Sequence, residues 1–408
     1  MTTKKNILIG QSGGPTAVIN ASLCGIVKEG LKHKDCFGEI YGMINGIEGF
    51  LSDHYMNLSQ DLSEEELQLL AYTPAAYLGS CRFKLPEDFT SPIYVTLFEK
   101  LQALNIGVFF YIGGNDSMDT ASKLSRYAAA HKIDICFLGI PKTIDNDLVL
   151  TDHTPGYGSA AKYVASTVRE IVLDSSVYQQ KSVTIIELMG RHAGWLTAAS
   201  VLARKHALDN PVLIYLPEVP FSLEQFKRDI EAAFTRQNNL IICVSEGIQD
   251  AKGHFLCEYT NSSQVDNFGH KMLTGCGKIL ENYVKEQFHV KVRSVELNVC
   301  QRCSGMMASQ TDIDEAMLAG SFGVLAAMEG KTGCMISFER DADVPYQMHC
   351  STQDVNQICN REKCIPSSWI CESGNDLTED FLRYVTPLIQ GEAQRVMENG
   401  LPKYLYRK

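Results

Sequence analysis

The sequence predicts an α/β protein with two Rossmann-like domains, each built on a mainly parallel sheet flanked by helices, followed by a C-terminal helical element. Three observations carry that expectation. Short β-branched or aromatic apolar runs alternate with stretches of helical period along most of the chain. The runs stop abruptly at glycine or polar residues, at the points where a strand would hand over to a helix. With 408 residues, 45% of them hydrophobic, the chain is long enough for two or three well-buried cores.

Taken in order, the run Lys5 to Gly10 passes into Gln11-Ser-Gly-Gly14 and then a helical stretch from Ala17 to Leu31. Ile106 to Ile112 passes into Gly113-Gly-Asn-Asp-Ser117 and then a helix around Met118 to Ala130. Ile133 to Leu138 leads into Gly139-Ile-Pro-Lys-Thr-Ile-Asp-Asn-Asp147, and Ser182 to Leu188 leads into Met189-Gly-Arg191 and a helical pattern ending near Ala203. Further strands are expected in PVLIYLPE (211–218), NLIICVSEG (239–247) and VKVRSVELN (290–298). After about Val344 the composition shifts toward Cys, Asn, Asp and Ser. A helical pattern then runs from Asp376 to Gly400, with Thr378 as N-cap and Gly400-Leu-Pro402 as a stop.

Composition excludes several classes. A net charge of −11 argues against broad electrostatic binding to nucleic acid, so an anionic ligand must be held by local cations. The N-terminal stretch fits neither a signal peptide nor a membrane span, no run reaches about 18 apolar residues, and a cytoplasmic protein is expected. The 14 cysteines are scattered and read as reduced thiols. Cys300-Gln-Arg-Cys303 has the spacing of a redox or zinc half-site, but no second half follows it.

The chemistry gathers at the strand ends, where parallel sheets bind ligands beside helix N-termini. QSGGPT (11–16) and IGGNDS (112–117) each open a helix after a strand, and glycine lets backbone N–H groups approach a phosphate closely. Either loop alone is weak, since such turns use glycine for steric reasons as often. Arg82, with Lys84 nearby, and Arg191 are further anion-holding candidates, through a planar fork in the case of arginine. Lys142, Asp145 and Asp147 put a cation and two carboxylates within six residues. Anion cradles, a carboxylate cluster suited to Mg²⁺ or to base catalysis, and several cations are the equipment of phosphoryl transfer. An alcohol acceptor would lose its proton to Asp145 or Asp147.

From residue 5 to about 340 the sequence resembles the 6-phosphofructokinase family in one unbroken order: SGGPTAVINA, YGMINGIEGF, LGSCRF, GGNDS, PKTIDND, MGRHAGW, VSEG and the pair Arg293 and Arg302. The resemblance implies a larger donor-binding domain of residues 1–148 plus about 303–345, a smaller sugar-phosphate domain of 149–302, and an extension of 346–408 packed on the core. It implies Asp145 as base, Thr143 holding phosphates, and Asp147 near Mg²⁺ and the base. Gly13, Gly114, Ser117 and Lys142 would lie against the donor, and Arg82 near the transferring phosphate. The sugar phosphate, fructose 6-phosphate, would meet Thr143, Ile144, Met189, Gly190, Arg191 and Glu246, with Arg293 and Arg302 on its 6-phosphate. Some of these arginines reach across from a neighbouring subunit in the family, which implies a homodimer or homotetramer.

Two positions bear on the donor. ATP-using members resemble GGDGS and PGTIDND, whereas this chain has Asp116 and Lys142 where those have glycine. A carboxylate there repels an α-phosphate and the lysine offers charge to a small dense anion, so the resemblance points to the pyrophosphate-dependent branch. The alternatives are an ATP-dependent enzyme that tolerates Asp116 and a non-catalytic sugar-phosphate sensor. The chain departs from the family at Asn115, where most relatives carry a metal-binding aspartate; the metal set expected is Asn115, Asp116 and Asp147. Lys181 replaces an arginine directed at a neighbour's sugar phosphate, and Val299 replaces a His or Tyr against the sugar. Leu23 and Val27 stand where allosteric bacterial relatives carry effector-binding arginines, so little control by nucleotides is expected.

Overall fold

The computed structural model describes residues 4–259 and 275–407. The first half of the chain contributes strands β1 (Lys5–Gln11), β2 (Phe37–Met43), β3 (Tyr55–Asn57), β4 (Ile106–Gly113) and β5 (Cys136–Pro141). A second set follows, β6 (Ser182–Leu188), β7 (Leu213–Tyr215), β8 (Asn239–Ser245) and β9 (Lys291–Glu296), after which the chain returns with β10 (Cys334–Asp343) and β11 (Tyr346–Asp354). The first sheet has the order β11-β10-β5-β4-β1-β2-β3 and the second β7-β8-β6-β9. Edge strands β3 and β11 run antiparallel, and every other pairing in the two sheets is parallel.

Parallel strands covered on both faces must be apolar on both, and these are. In the first sheet Ile7, Ile9, Val108, Phe110 and Ile112 enter one core while Leu8, Phe109, Tyr111 and Phe137 enter the other. The second sheet divides likewise, with Ile186, Leu188, Ile241 and Cys243 on one side and Val183, Ile185, Ile242 and Val244 on the other. Two helices over the first sheet, Ile19–Lys32 and Gln310–Met328, approach until their backbones nearly touch. A Cβ at Gly25 would lie 2.1 Å from the Met317 carbonyl oxygen, and one at Gly320 would lie 2.2 Å from that of Ser22. Only glycine fits either crossing point. Leu23 and Val27 of the first of these helices are fully buried in the core.

In the first sheet the chain leaves β1 toward β2 on one side and returns as β4 on the other. The strand order therefore reverses between β1 and β4, the crevice where open α/β sheets bind ligands. The loops Ser12–Thr16 and Gly114–Ser117 lie at that reversal.

The tail differs from the expected single helix. Tyr346–Asp354 is an edge strand of the first sheet, paired antiparallel with β10, so residue 346 falls within a hairpin rather than at the start of an appended element. The helix capped by Thr378 spans only Glu379–Val385, continues as a tighter turn through Ile389, and stops before Gly391, whose φ is +76°. Pro387 removes a helical N–H donor just after the helix ends, and the rest of the pattern forms a short hairpin pairing Met397–Glu398 with Leu401–Pro402. Ile365, Leu377, Phe381, Tyr384 and Leu388 of this tail join the core beneath the second sheet, around Tyr157 and Trp195.

A buried ionic group ties the chain after β5 to β10 and to the helix Gln310–Met328. His153 lies 2.8 Å from Asp152 Oδ1 and 2.7 Å from Glu315 Oε2, and Arg340 contacts the same Asp152 oxygen at 2.8 Å. Burial alone would lower the His153 pKa, but the two carboxylates outweigh it and push the imidazole up to about 9. Because the folded value exceeds the unfolded one, its stabilisation is complete below about pH 6.5 and is lost as pH rises through 9. Denaturant unfolding of the wild type and His153→Gln at a series of pH values is expected to give a stability gap, on the order of 3 kcal/mol near neutrality, that closes between pH 7 and about 9.

Candidate active site

Three loops from the first sheet converge on Lys142. Its main-chain N–H donates to the Gly113 carbonyl at 3.0 Å, extending the β4–β5 ladder one step beyond β5. Its ammonium, almost wholly buried, donates to the Gly14 carbonyl at 2.7 Å. A Cβ at Gly13 would lie 3.3 Å from Lys142 Nζ, and one at Gly14 would lie 3.2 Å from Arg302 Nη1. Gly13 has φ of +76°, so its glycine serves both the turn and the close approach. Burial brings the Lys142 pKa down to about 8, with Arg302 and Arg82 adding to the fall and Asp145 and Asp147 opposing it.

The first loop is braced by buried amides. Gln11 Nε2 donates to Asn20 Oδ1 at 2.9 Å, and Gln11 Oε1 accepts from Leu78 N–H at 2.9 Å. The Gly13 N–H donates to the Cys81 carbonyl at 3.3 Å and Ser80 Oγ donates to the Gly13 carbonyl at 2.6 Å, which sets Arg82 beside the glycines. In the second loop, Gly114 caps the helix Asn115–His131, whose first turn carries Asp116, exposed, and Ser117, buried.

The loop after β5 turns back on itself. The Thr143 hydroxyl accepts from the Asp145 N–H at 3.1 Å and donates to Asp145 Oδ2 at 3.3 Å. Burial raises the Asp145 pKa, against Lys142, the Thr143 hydroxyl, Arg191 and Arg302, which favour its charged form. Asp147 is pushed up to about 7, by burial first and then by the neighbouring Asp145 charge. Ile144, between them and Thr143, is buried.

The loop after β6 approaches from the second sheet. Gly190, with φ of +139°, donates its N–H to Glu246 Oε1 at 3.3 Å, and the Ser245 hydroxyl donates to the Gly190 carbonyl. Met189 N–H donates to Gln301 Oε1 at 3.3 Å, so the Cys300–Cys303 segment serves through Gln301 and Arg302 while all fourteen cysteines are free thiols. Burial pushes Glu246 up to about 8, with the Gly190 N–H opposing and the Asp145 charge adding to the rise. Arg191 opposes the rise in both Glu246 and Asp145, which puts the three in one electrostatic neighbourhood.

Lys181 and Arg293 lie elsewhere. Lys181 precedes the first residue of β6 and Met189 follows its last, about 26 Å apart along the line of the strand. Arg293 on β9 pairs with Thr184, toward the same far end. There Lys181, Lys291 and Arg293 line a separate hollow of about 110 Å³ beside Tyr178 and Asp174. Val299, half-exposed, caps the short helix bearing Arg302.

Asn115 is occupied at both ends of its amide: Oδ1 accepts from the Asn360 N–H at 2.6 Å and Nδ2 donates to the Arg361 carbonyl at 2.5 Å. An aspartate could not make the second bond. The position therefore reads as a clasp, and it leaves the expected metal set. Asp116 and Asp147 remain. Asp147 fits a divalent cation: its carboxyl, pushed up to about 7 by burial and the neighbouring Asp145 charge, is relieved by one. Among the described residues no three acidic, His or Cys side chains form a ready cage for a metal ion.

Residues 6–344 match the model of the phosphofructokinase family. The chain belongs to that family. It is 39% identical, over its whole length and 97% of the relative's, to a pyrophosphate–fructose 6-phosphate 1-phosphotransferase of Xanthomonas campestris pv. campestris. It is 38% identical, over 98% of this chain and 95% of the other, to the protein of the same name from Halomonas elongata. The solved pyrophosphate-dependent phosphofructokinase from Nitrosospira multiformis superposes with a TM-score of 0.90 at 34% identity, over 99% of this chain and 96% of that one. Among the described residues no helix is long and apolar enough to cross a membrane.

The sequence did not single out Asn146, Lys363 or Tyr384, although Asn146 lies in the loop after β5 and the other two contact it. Asn146 was visible within TIDND; nothing local marks the other two.

Gly13→Ala is expected to weaken pyrophosphate binding about tenfold, because its Cβ would press on Lys142 and the left-handed backbone costs it roughly 1 kcal/mol. Titration calorimetry with pyrophosphate checks this, with thermal unfolding as the control for the backbone term.

Proposed function

We propose that the protein transfers phosphate from inorganic pyrophosphate to the 1-hydroxyl of fructose 6-phosphate, giving fructose 1,6-bisphosphate, reversibly and with Mg²⁺. The observation that carries this is Lys142, whose buried ammonium stands between two glycine loops and a carboxylate pair. It offers a fixed charge at close range to a compact dianionic group, while Asp116 at the mouth of the second loop disfavours a third phosphate.

In this reading Asp145 takes the proton of the 1-hydroxyl as its oxygen attacks the terminal phosphorus. The bridging P–O bond breaks, and orthophosphate departs with the electron pair, its charge met by Lys142 and Arg82. Asp116 and Asp147, together with donor oxygens, would hold Mg²⁺, which would supply charge neutralisation. Gly13, Gly114, Ser117 and Thr143 would cradle the donor; Ile144, Met189, Gly190, Arg191, Glu246, Val299 and Arg302 would surround the sugar.

Lys181 and Arg293 belong to the sugar site of a second copy. One chain cannot bring both ends of β6 to one sugar phosphate, so we read the protein as a homodimer or homotetramer with shared sites. With Leu23 and Val27 fully buried and apolar, little control by nucleotide effectors is proposed. Both substrates are small water-soluble anions, and we place the reaction in the cytoplasm.

Assay of the purified protein with each donor tests the reading: turnover is expected with pyrophosphate, and turnover with ATP alone would overturn it. Asp145→Asn is expected to lower kcat by about 10²–10⁴-fold while fructose 6-phosphate still binds. Replacing Asp116 and Lys142 together by glycine should raise the KM for pyrophosphate by tenfold or more, on the order of the 1.4 kcal/mol that one charged contact contributes. Unchanged pyrophosphate kinetics in that variant would remove the donor-selecting role from both residues.

A further inference from the structure

The base loop is held in place by a part of the chain more than two hundred residues away. Between Asp145 and Asp147, Asn146 has a left-handed backbone with φ of 54° and is fully buried. Its Nδ2 donates to Tyr384 Oη at 2.8 Å, and its Oδ1 accepts from Thr154 N–H at 3.1 Å and lies 3.5 Å from Lys363 Nζ. Tyr384 in turn donates its hydroxyl proton to the Asp152 carbonyl at 2.7 Å, so one oxygen bridges the two ends of the loop. The Lys363 N–H donates to the Asp147 carbonyl at 2.7 Å, and its ammonium donates to the carbonyls of Thr151 and Asp152 at 3.1 and 2.8 Å.

The same segment reaches both neighbouring loops. Asn360 and Arg361 clasp Asn115 at the second glycine loop, and Asn356 Oδ1 accepts from the Ser122 hydroxyl at 2.6 Å on the helix that follows. On the other side the Lys363 carbonyl accepts from Trp195 Nε1 at 2.8 Å. The Ile365 N–H shares Glu218 Oε1 with the Gly194 N–H, at 3.0 and 2.9 Å, behind the loop bearing Arg191. Residues 356–365, joined by Tyr384, which shares Asn146 and the Asp152 carbonyl with Lys363, thus strap together the loops after β4, β5 and β6.

We propose that this strap belongs to the catalytic apparatus, with Lys363 and Tyr384 as positioning residues that fix Asp145 against the donor loop. Their bonds go to the backbone and the turn residue of the base loop, so what they set is where the carboxylate stands. The inference rests on Asp145 being the base.

Tyr384→Phe, which removes one oxygen, and Lys363→Met, which keeps the chain length and removes the donors, test it in the full-length protein. Assayed well below each variant's unfolding temperature, both are expected to lose about 10- to 100-fold in kcat, the cost of roughly 1 Å of misplacement, with KM for both substrates nearly unchanged. Asn115→Asp, which sets a carboxylate against the Arg361 carbonyl, should lower kcat as well. If Tyr384→Phe keeps its full kcat and only unfolds at lower temperature, the strap is structural and the proposal is overturned. Should Lys363→Met fail to fold, Tyr384→Phe decides alone. Asp145→Asn separates the two layers: an active Asp145→Asn overturns the base assignment and the inference with it, whereas an inactive Asp145→Asn beside a fully active Tyr384→Phe overturns the strap alone.

Discussion

The site depends on keeping one ammonium out of water. Lys142 is buried where the ends of β1, β4 and β5 meet, and its hydrogen bonds join residues from all three strand ends. A buried lysine is stable as a cation only if carbonyl dipoles and carboxylates surround it. Gly14, Asp145 and Asp147 do so, and in return the lysine allows two carboxylates to stand two residues apart in a place where burial raises both. The glycine loops follow from the same constraint. A side chain at Gly13 would press on that ammonium and one at Gly14 on the guanidinium of Arg302, so the backbone itself must face the charge.

Much of this was legible in the sequence, because the rules that place ligands in parallel sheets are local. A strand that ends in glycine and opens a helix announces its own site, and the loops at 11–16, 112–117, 139–147 and 189–191 all did so. The tail was not legible. Its polar groups act on backbone carbonyls and on one buried amide far away in sequence, and such contacts leave no period or spacing. The helical pattern from Asp376 to Gly400 was misread for a related reason. Period alone counted the residues beyond Pro387 as helix, whereas Pro387 and the left-handed Gly391 stop it and send the chain back across the core.

Asn115 shows how a departure from a family pattern can be explained by structure. Read as a lost metal ligand, it weakens the site. Read with Asn360 and Arg361, it is a gain, since an amide both donates and accepts and so closes a clasp that a carboxylate could not. The charge given up is partly kept by Asp116 in the next position, at a helix N-terminus where a carboxylate is favoured.

The protein's overall charge makes these local arrangements necessary. At −11 it repels its own substrates, so every phosphate must be met by cations gathered at short range. Lys142, Arg82, Arg191 and Arg302 lie together within one chain, but Lys181, Lys291 and Arg293 gather at the far end of the second sheet, with Leu173, Val177 and Tyr178 exposed around them. A basic hollow rimmed by exposed apolar side chains is poorly placed on an acidic monomer facing water. Seated against another copy's sugar loop, the apolar rim would be covered and the cations would face the phosphate that the rest of the surface repels. That charge balance favours the shared sugar site proposed above over one built from a single chain.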